Sequence, residues 1–205
     1  ESWFEPIEVL LHQMDANGVG RAVLVQHGGV YENSYLLQCA ERHPGRFAVV
    51  AMVDAAQPDA PAALEGWSRR GAVGVRLGPD VRSPGEDPLA LWRKASELGL
   101  VVSSLGELAS FASDGFRDLL AELPDLTVVV EHLAGVGQAG EGPPHTQFRR
   151  VLELATLPNT YIKVPGLGEI SARPSVLRPK LSFDHTPPVI DMAYEAFGPR
   201  RMMWG

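Results

Sequence analysis

Short apolar runs rich in valine recur along the chain, and their starts are separated by 26, 25, 28, 26, 34 and 41 residues. Near-continuous apolar runs of this length are typical of strands that are covered on both faces, as in a parallel sheet. We therefore predict seven strands, at residues 21–27, 47–54, 72–78, 100–104, 126–132, 160–164 and 201–205.

Helical periodicity fills the gaps between these runs. Phe116, Leu119, Leu120 and Leu123 have the i, i+3, i+4, i+7 spacing that gives a helix one apolar face. The same stripe is found in residues 7–14, which precede the first run, and again in residues 148–155 and 190–197. The pattern predicts that strands and helices alternate.

Strict alternation of this kind is typical of either a closed barrel or an open doubly wound sheet. An open sheet usually carries a Gly-x-Gly-x-x-Gly phosphate loop after its first strand. The first predicted strand ends instead in His27-Gly28-Gly29-Val30, which lacks that spacing. We therefore predict an α/β fold of the TIM (β/α)₈ barrel type, with residues 1–205 as one domain that lacks the first barrel strand.

Composition and charge exclude several classes of partner. A formal net charge of −7 leaves no basic stripe for nucleic acid, and no apolar run approaches the roughly 20 residues that span a bilayer. The single cysteine, Cys39, cannot form an internal disulfide, and residues 1–5 do not have the pattern of a signal peptide. These observations predict a cytoplasmic protein.

The candidate chemistry lies at the carboxyl ends of the predicted strands, where barrel enzymes carry their active sites. Because side chains alternate along a strand, only one of Gln26 and His27 should face the barrel interior, and only one of Glu131 and His132. The full set also contains an aspartate, an arginine, a lysine and two serines, namely Asp54, Arg76, Lys163, Ser103 and Ser104. The serines lack a Gly-x-Ser-x-Gly elbow, which argues against a serine nucleophile.

His132 is the strongest of these candidates. It follows three valines, at a position where burying an apolar side chain would cost less free energy unless the imidazole had a role. It could bind a metal ion or act as an acid or base near neutral pH. A histidine whose ring is merely satisfied by a loop carbonyl fits its position equally well.

Two cationic side chains are candidates for binding a substrate carboxylate. Arg76 lies inside an apolar run and needs an anion, which could be the substrate or a structural partner such as Glu131 or Asp54. Lys163 follows apolar residues in the same way, and it could hold an anionic group, polarise a carbonyl or extend to solvent.

Gln26 and His27 complete the set of candidate substrate-binding residues. They stand at the end of the first predicted strand. His27 begins a loop, where an exposed polar residue without a function is also expected.

Three segments resemble motifs of the amidohydrolase-related family (amidohydrolase family 2). Residues 124–135 (PDLTVVVEHLAG) are similar to its Pro-Asp-Leu, apolar strand, Asp-His-Leu-Gly segment, and residues 158–166 (PNTYIKVPG) to its Pro-Asn-x-Tyr-x-Lys-x-Ser-Gly strand. Residues 197–205 (FGPRRMMWG) resemble the approach to its last strand, Phe-Gly-x-x-Arg-x-Met-Trp-Gly, which Ser-Asp normally follows. With weaker matches earlier in the sequence, the resemblance covers essentially the whole chain.

The resemblance implies a TIM barrel with a metal-type site. Its ligands would be a His-x-His pair on the first strand, a histidine on the sixth and an aspartate on the eighth. His132 matches the sixth-strand histidine, while the other ligands would precede Glu1 and follow Gly205. The sequence is therefore expected to be part of a longer chain.

One departure from the family pattern points to a lactonase-like branch. Many relatives have a histidine at the end of the fifth strand, and residues 100–106 contain none. This is similar to the sugar-lactone and dicarboxylate-lactone hydrolases, some of which use one metal or none. The resemblance leaves open both a divalent ion, zinc or manganese, and a metal-free site.

The resemblance implies hydrolysis of a lactone or cyclic ester of a small metabolite, with an anionic substrate left open. His132 would be catalytic and a metal ligand, an aspartate on the eighth strand would be the base, and Arg76 and Lys163 would hold a substrate carboxylate. Two alternatives remain: a metal-dependent decarboxylase or hydratase of the same family, and a non-catalytic ligand-binding barrel. A homo-oligomer is also open.

Overall fold

A computed structural model of the protein describes residues 6–170 and 187–205, and these form two compact units. The first unit contains residues 6–76 and 83–100, and the second contains residues 77–82, 101–170 and 187–205. No helix in the described ranges is both long enough and apolar enough to cross a membrane.

The first unit alternates helices and strands. Its elements are α1 (Ile7–Ala16), β1 (Ala22–Val25), α2 (Ser34–Arg42), β2 (Phe47–Ala51), α3 (Ala60–Arg69), α4 (Ala90–Glu97) and, up to Arg76, β3 (Gly74–Leu77). The strands pair in parallel and in chain order, with Ala22 opposite Phe47 and Val50 opposite Gly74. The apolar faces of α1 and α2 pack on this sheet around buried Leu24, Val49 and Cys39.

The second unit repeats this alternation around four parallel strands. These are β4 (Val101–Ser104), β5 (Val128–Val130), β6 (Thr160–Val164) and β7 (Met202–Trp204). They also pair in chain order, with Val102 opposite Val128, Val128 opposite Thr160 and Ile162 opposite Met202.

Of the five described helices of the second unit, three follow from the predicted apolar stripes at residues 116–123, 148–155 and 190–197. The five helices are α5 (Leu108–Phe111), α6 (Asp114–Glu122), α7 (Val136–Ala139), α8 (Thr146–Leu152) and α9 (Val189–Phe197). The face of α9 is rotated from the prediction, since Val189, Ala193 and Phe197 are buried while Tyr194 is exposed. The other two, α5 and the short α7 in the Gly-rich stretch after residue 135, lie outside the predicted stripes.

Local capping explains where α6 begins. The Ser113 hydroxyl accepts a hydrogen bond of 3.2 Å from the Phe116 backbone N–H, which satisfies a helix N–H that has no partner within α6. Asp114 adds a negative charge in the first turn, where the helix dipole favours one. Phe116, Leu119 and Leu120 then pack into the core.

Truncating the buried face of α6 should destabilise the protein. Leu120 is fully buried, so Leu120→Ala should lower the free energy of unfolding by about 2–5 kcal/mol. Leu105→Ala is the matched control, because Leu105 is 41% exposed and should change it by less than about 1 kcal/mol. Urea unfolding followed by circular dichroism measures both, and equal losses would contradict the assignment of this face to the core.

Candidate active site

The predicted site residues of the first unit lie at the ends of β1 and β3. Gln26 is buried directly after β1, and its Nε2 donates to the Glu32 carbonyl oxygen at 2.7 Å while its Oε1 accepts from the His27 backbone N–H at 2.9 Å. The structure therefore places Gln26 inward and leaves the His27 side chain exposed, with Nδ1 3.0 Å from the Gly28 carbonyl. The side-chain amide of Gln26 therefore holds the start of the loop that follows β1.

Arg76 lies in β3 and contacts the same loop. Its Nη1 donates to the Gln26 carbonyl oxygen at 3.1 Å, and its side chain is half-buried. Farther along the loop, hydrogen bonds from the side chain and the backbone of Ser34 lower the pKa of the Glu32 carboxyl. Arg76 and Gln26 are thus brought together, and Glu32 holds the loop that joins them to α2.

In the second unit, three strand ends meet in one buried polar cluster. Lys163 of β6 donates through Nζ to Ser103 Oγ of β4 at 3.1 Å and to Glu131 Oε1 at 3.2 Å. The Ser103 hydroxyl donates to the same carboxylate oxygen of Glu131. The Glu131 side chain is only 1% exposed, and that of Lys163 is 13% exposed. A charge buried this deeply needs a partner, and the lysine supplies it.

Glu131 begins a left-handed turn that the sequence did not predict. After β5 ends at Val130, the φ angles of His132, Leu133, Ala134 and Gly135 are 51°, 50°, 57° and 71°. Each non-glycine residue in this conformation costs about 1–2 kcal/mol. Leu133 and Ala134 are fully buried, and their packing offsets part of this cost.

The turn changes where His132 points. Period-two alternation applies only within a strand, and His132 lies beyond the end of β5. The expectation that only one of Glu131 and His132 faces the site is therefore wrong: the His132 Nε2 lies 3.7 Å from Glu131 Oε2, next to the buried cluster.

A second carboxylate lies on the other side of the imidazole. His132 Nδ1 is 3.3 Å from Glu169 Oε2, an ion-pair distance without the alignment of a hydrogen bond. Glu169 belongs to a short turn after β6, Leu167–Glu169. The imidazole, 26% exposed, therefore stands between two carboxylates, one compensated by Lys163 and the other at the surface of the site.

These side chains do not by themselves make a metal site. Within residues 6–170 and 187–205, no group of three or more His, Cys, Asp or Glu side chains is placed to hold an ion. Glu131 Oε1 already accepts hydrogen bonds from Ser103 and Lys163. Of the side chains in this cluster, His132 stays the predicted metal ligand.

A cavity of 290 Å³ lies nearby in the second unit. Residues 106–109 line it from the loop after β4 and from α5, while Gly135, residues 138–139 and Gln147 line it from the other side. None of the predicted site residues lines this cavity, so it is separate from the cluster around Lys163.

Comparison with known proteins decides the family. The sequence profile described as "Amidohydrolase" matches residues 4–205. The chain belongs to the amidohydrolase family. The family prediction made from residues 124–135, 158–166 and 197–205 is thereby confirmed.

Three relatives of this amidohydrolase chain are informative. It is 29% identical over 213 residues to the 4-sulfomuconolactone hydrolase of Hydrogenophaga intermedia, and 28% identical over 203 residues to the L-fucono-1,5-lactonase of Burkholderia ambifaria. These alignments cover 98% and 92% of the chain but only 64% of each relative. A zinc-bound amidohydrolase from Burkholderia multivorans is 25% identical, with a TM-score of 0.75 over 98% of this chain and 72% of that one.

The comparisons confirm the predicted fold class, an α/β TIM barrel of the amidohydrolase type. They do not test the individual site residues. His132, Arg76, Lys163, Gln26 and His27 therefore stay predictions, now with the contacts described above.

The buried pair of Glu131 and Lys163 should be strongly coupled in stability. Glu131→Gln or Lys163→Met alone breaks the buried ion pair and should cost about 3 kcal/mol. The double variant should cost clearly less than the sum of the two, in a double-mutant cycle of urea unfolding.

The exposed pair of Arg117 and Glu153, 2.9 Å apart, is the matched control for this cycle. Arg117→Met and Glu153→Gln should show a coupling of no more than about 1 kcal/mol, because solvent screens surface ion pairs. Equal coupling in the two cycles would contradict the role given to burial.

Proposed function

We propose that the protein hydrolyses a lactone or cyclic ester of a small, anionic metabolite. The observation that carries the proposal is the polar cluster of His132, Glu131, Lys163 and Ser103 at the carboxyl ends of β4, β5 and β6. Two relatives, both named as lactone hydrolases, support the lactone part of the proposal, and the sulfonated substrate in the name of one of them supports the anionic part.

The reaction opens the ring by adding water to the ester carbonyl. The water oxygen bonds to the carbonyl carbon, the ring carbon–oxygen bond breaks, and the ring oxygen takes up a proton to become a hydroxyl. The product is a hydroxy acid, which releases one proton near neutral pH. A site for this reaction must bind the carbonyl oxygen, accept a proton from water and return one to the leaving oxygen.

Lys163 fits the binding part of this work. Among the described residues, Ser103 and Glu131 use two of its three N–H donors, which leaves one for a substrate oxygen. Because the ammonium is largely buried, its field is less screened by water than that of a surface lysine. In the proposal it holds a carboxylate of the substrate or the oxygen of the carbonyl that reacts.

His132 is the proposed catalytic residue. Its imidazole can take up or give a proton, and the carboxylates of Glu131 and Glu169 lie on either side of it. Zinc or manganese stays a prediction of the family resemblance, supported by the zinc in one related structure. The donor groups of the described residues do not complete a site for such an ion, so no step is assigned to it.

Arg76, Gln26 and His27 remain proposed substrate-binding residues. The hydrogen bond from Arg76 to the Gln26 carbonyl holds the guanidinium in one orientation, which suits recognition of a carboxylate. A cytoplasmic location and a homo-oligomer also stay predictions.

Replacement of His132 should remove the activity. With 4-sulfomuconolactone or L-fucono-1,5-lactone as substrate, a pH-indicator assay of the purified protein should show proton release, and His132→Ala should lower kcat by about 100-fold or more. His12→Ala, at an exposed position of α1, should leave the rate unchanged. Carbon dioxide release would favour a decarboxylase instead, and full activity of His132→Ala would exclude the assigned role.

Replacement of Arg76 by lysine should weaken substrate binding more than turnover. Losing a charge-assisted, two-pronged contact is worth about 1.5–3 kcal/mol, so KM for 4-sulfomuconolactone should rise by about 10–100-fold while kcat changes little. Arg69→Lys is the control, since Arg69 pairs with Glu65 on an exposed face of α3. Steady-state kinetics measure both, and an unchanged KM in Arg76→Lys would show that Arg76 does not bind the substrate.

A further inference from the structure

The loop after β6 brings an acidic side chain to the catalytic imidazole from outside the buried cluster. Glu169 Oε2 lies 3.3 Å from His132 Nδ1, while the contact of Nε2 with Glu131 Oε2 is longer, at 3.7 Å. Glu131 already accepts hydrogen bonds from Lys163 and Ser103, so much of its charge is compensated. Glu169 is the better-placed acceptor for a proton on the ring.

A close backbone contact fixes the position of Glu169. A Cβ atom built on Gly137 would lie 2.2 Å from the Glu169 carbonyl oxygen and 2.9 Å from both its carbonyl carbon and Ile170 Cγ2. No side chain fits there, so only glycine at position 137 lets the loop approach α7. Ile170, which is buried, anchors the loop directly after Glu169.

The contact also links Glu169 to the turn that carries His132. Gly137 is the second residue of α7, and α7 follows the left-handed turn Glu131–Gly135 without a break. The backbone that sets the imidazole and the backbone that supports the carboxylate are therefore packed together.

We propose that Glu169 is a positioning residue that accepts the Nδ1–H of His132 and so presents Nε2, with its lone pair, to the reacting atoms. A histidine nitrogen is fixed as donor or acceptor by the hydrogen bond that the other nitrogen makes. The contact is at ion-pair distance and only needs alignment to become a hydrogen bond, and such bonds are often misaligned before substrate binds. This inference deepens the proposed function and rests on it for its catalytic consequence.

The tautomer of His132 tests the inference without any substrate. In two-dimensional ¹H–¹⁵N spectra that correlate ring nitrogens with ring protons, read at the alkaline end of a pH series where imidazoles are neutral, His132 should carry its proton on Nδ1. Glu169→Ala should shift the population towards the Nε2–H form. Glu169→Gln, which keeps an acceptor oxygen without the charge, should fall between them. An Nε2–H tautomer in the unmodified protein, or the same spectrum in all three, would overturn the proposal.

The kinetic experiment uses as substrate 4-sulfomuconolactone or L-fucono-1,5-lactone, whichever of the two the protein hydrolyses. Glu169→Ala should lower kcat by about 10–100-fold with KM changed by less than about twofold, and Glu169→Gln should recover part of the loss. Glu153→Gln, at an exposed carboxylate, should match the unmodified protein. If neither lactone is hydrolysed but the tautomer shifts as expected, the proposed function fails while the positioning role stands.

A second pair of variants separates position from charge. Gly137→Ala keeps the Glu169 side chain but displaces its backbone. It should therefore produce the same tautomer shift as Glu169→Ala. Gly115→Ala is a matched control, because Gly115 is also the second residue of a helix in this unit and has no atom within 4 Å of a Cβ built on it. A wild-type tautomer in Gly137→Ala would show that the contact with α7 does not position Glu169.

Discussion

The buried ion pair of Lys163 and Glu131 is the constraint on which the arrangement of the second unit's polar groups depends. A carboxylate that is 1% exposed needs a cation within reach, and the lysine that meets this need comes from the neighbouring strand. Ser103, on the strand at the other side, binds the same oxygen. The pair thus ties β4, β5 and β6 together at one edge, and it sets the orientation of the first residue after β5. The turn that carries His132 therefore begins from a residue whose side chain is held in place.

The left-handed turn after this residue leaves the His132 imidazole partly exposed. In an extended continuation of β5, a neighbour of the inward Glu131 would point to the opposite face of the sheet. Positive φ angles at residues 132–135 end the extended conformation instead. The result is that adjacent residues serve one site, with Glu131 buried beneath it and His132 at its surface. Strained backbone of this kind is often found at functional sites, where the surrounding structure holds it in place.

The sequence predicts much of the fold because the strands are mainly apolar and several of the helices have one apolar stripe. The valines at 128–130 predict β5, and Phe116, Leu119 and Leu120 predict the buried face of α6. The same reasoning finds His132 and Lys163, since polar side chains at strand ends are conspicuous. It does not find Glu169, which lies in a loop without periodicity, or the turn at 132–135, whose first three residues are not glycine. Backbone conformation there is decided by tertiary contacts rather than by local preference, and Tyr194 on α9 is misassigned because an amphipathic aromatic ring fits either face.

Gly137 also constrains how the sequence of this family member can diverge. Because the carbonyl of Glu169 occupies the volume that a side chain at 137 would need, the two segments cannot change independently. A larger residue at 137 would be accepted only together with a shift or a change of length in the loop around residue 169. Positions 137 and 167–170 should therefore co-vary among homologous sequences, and insertions in the loop after β6 should accompany the loss of this glycine.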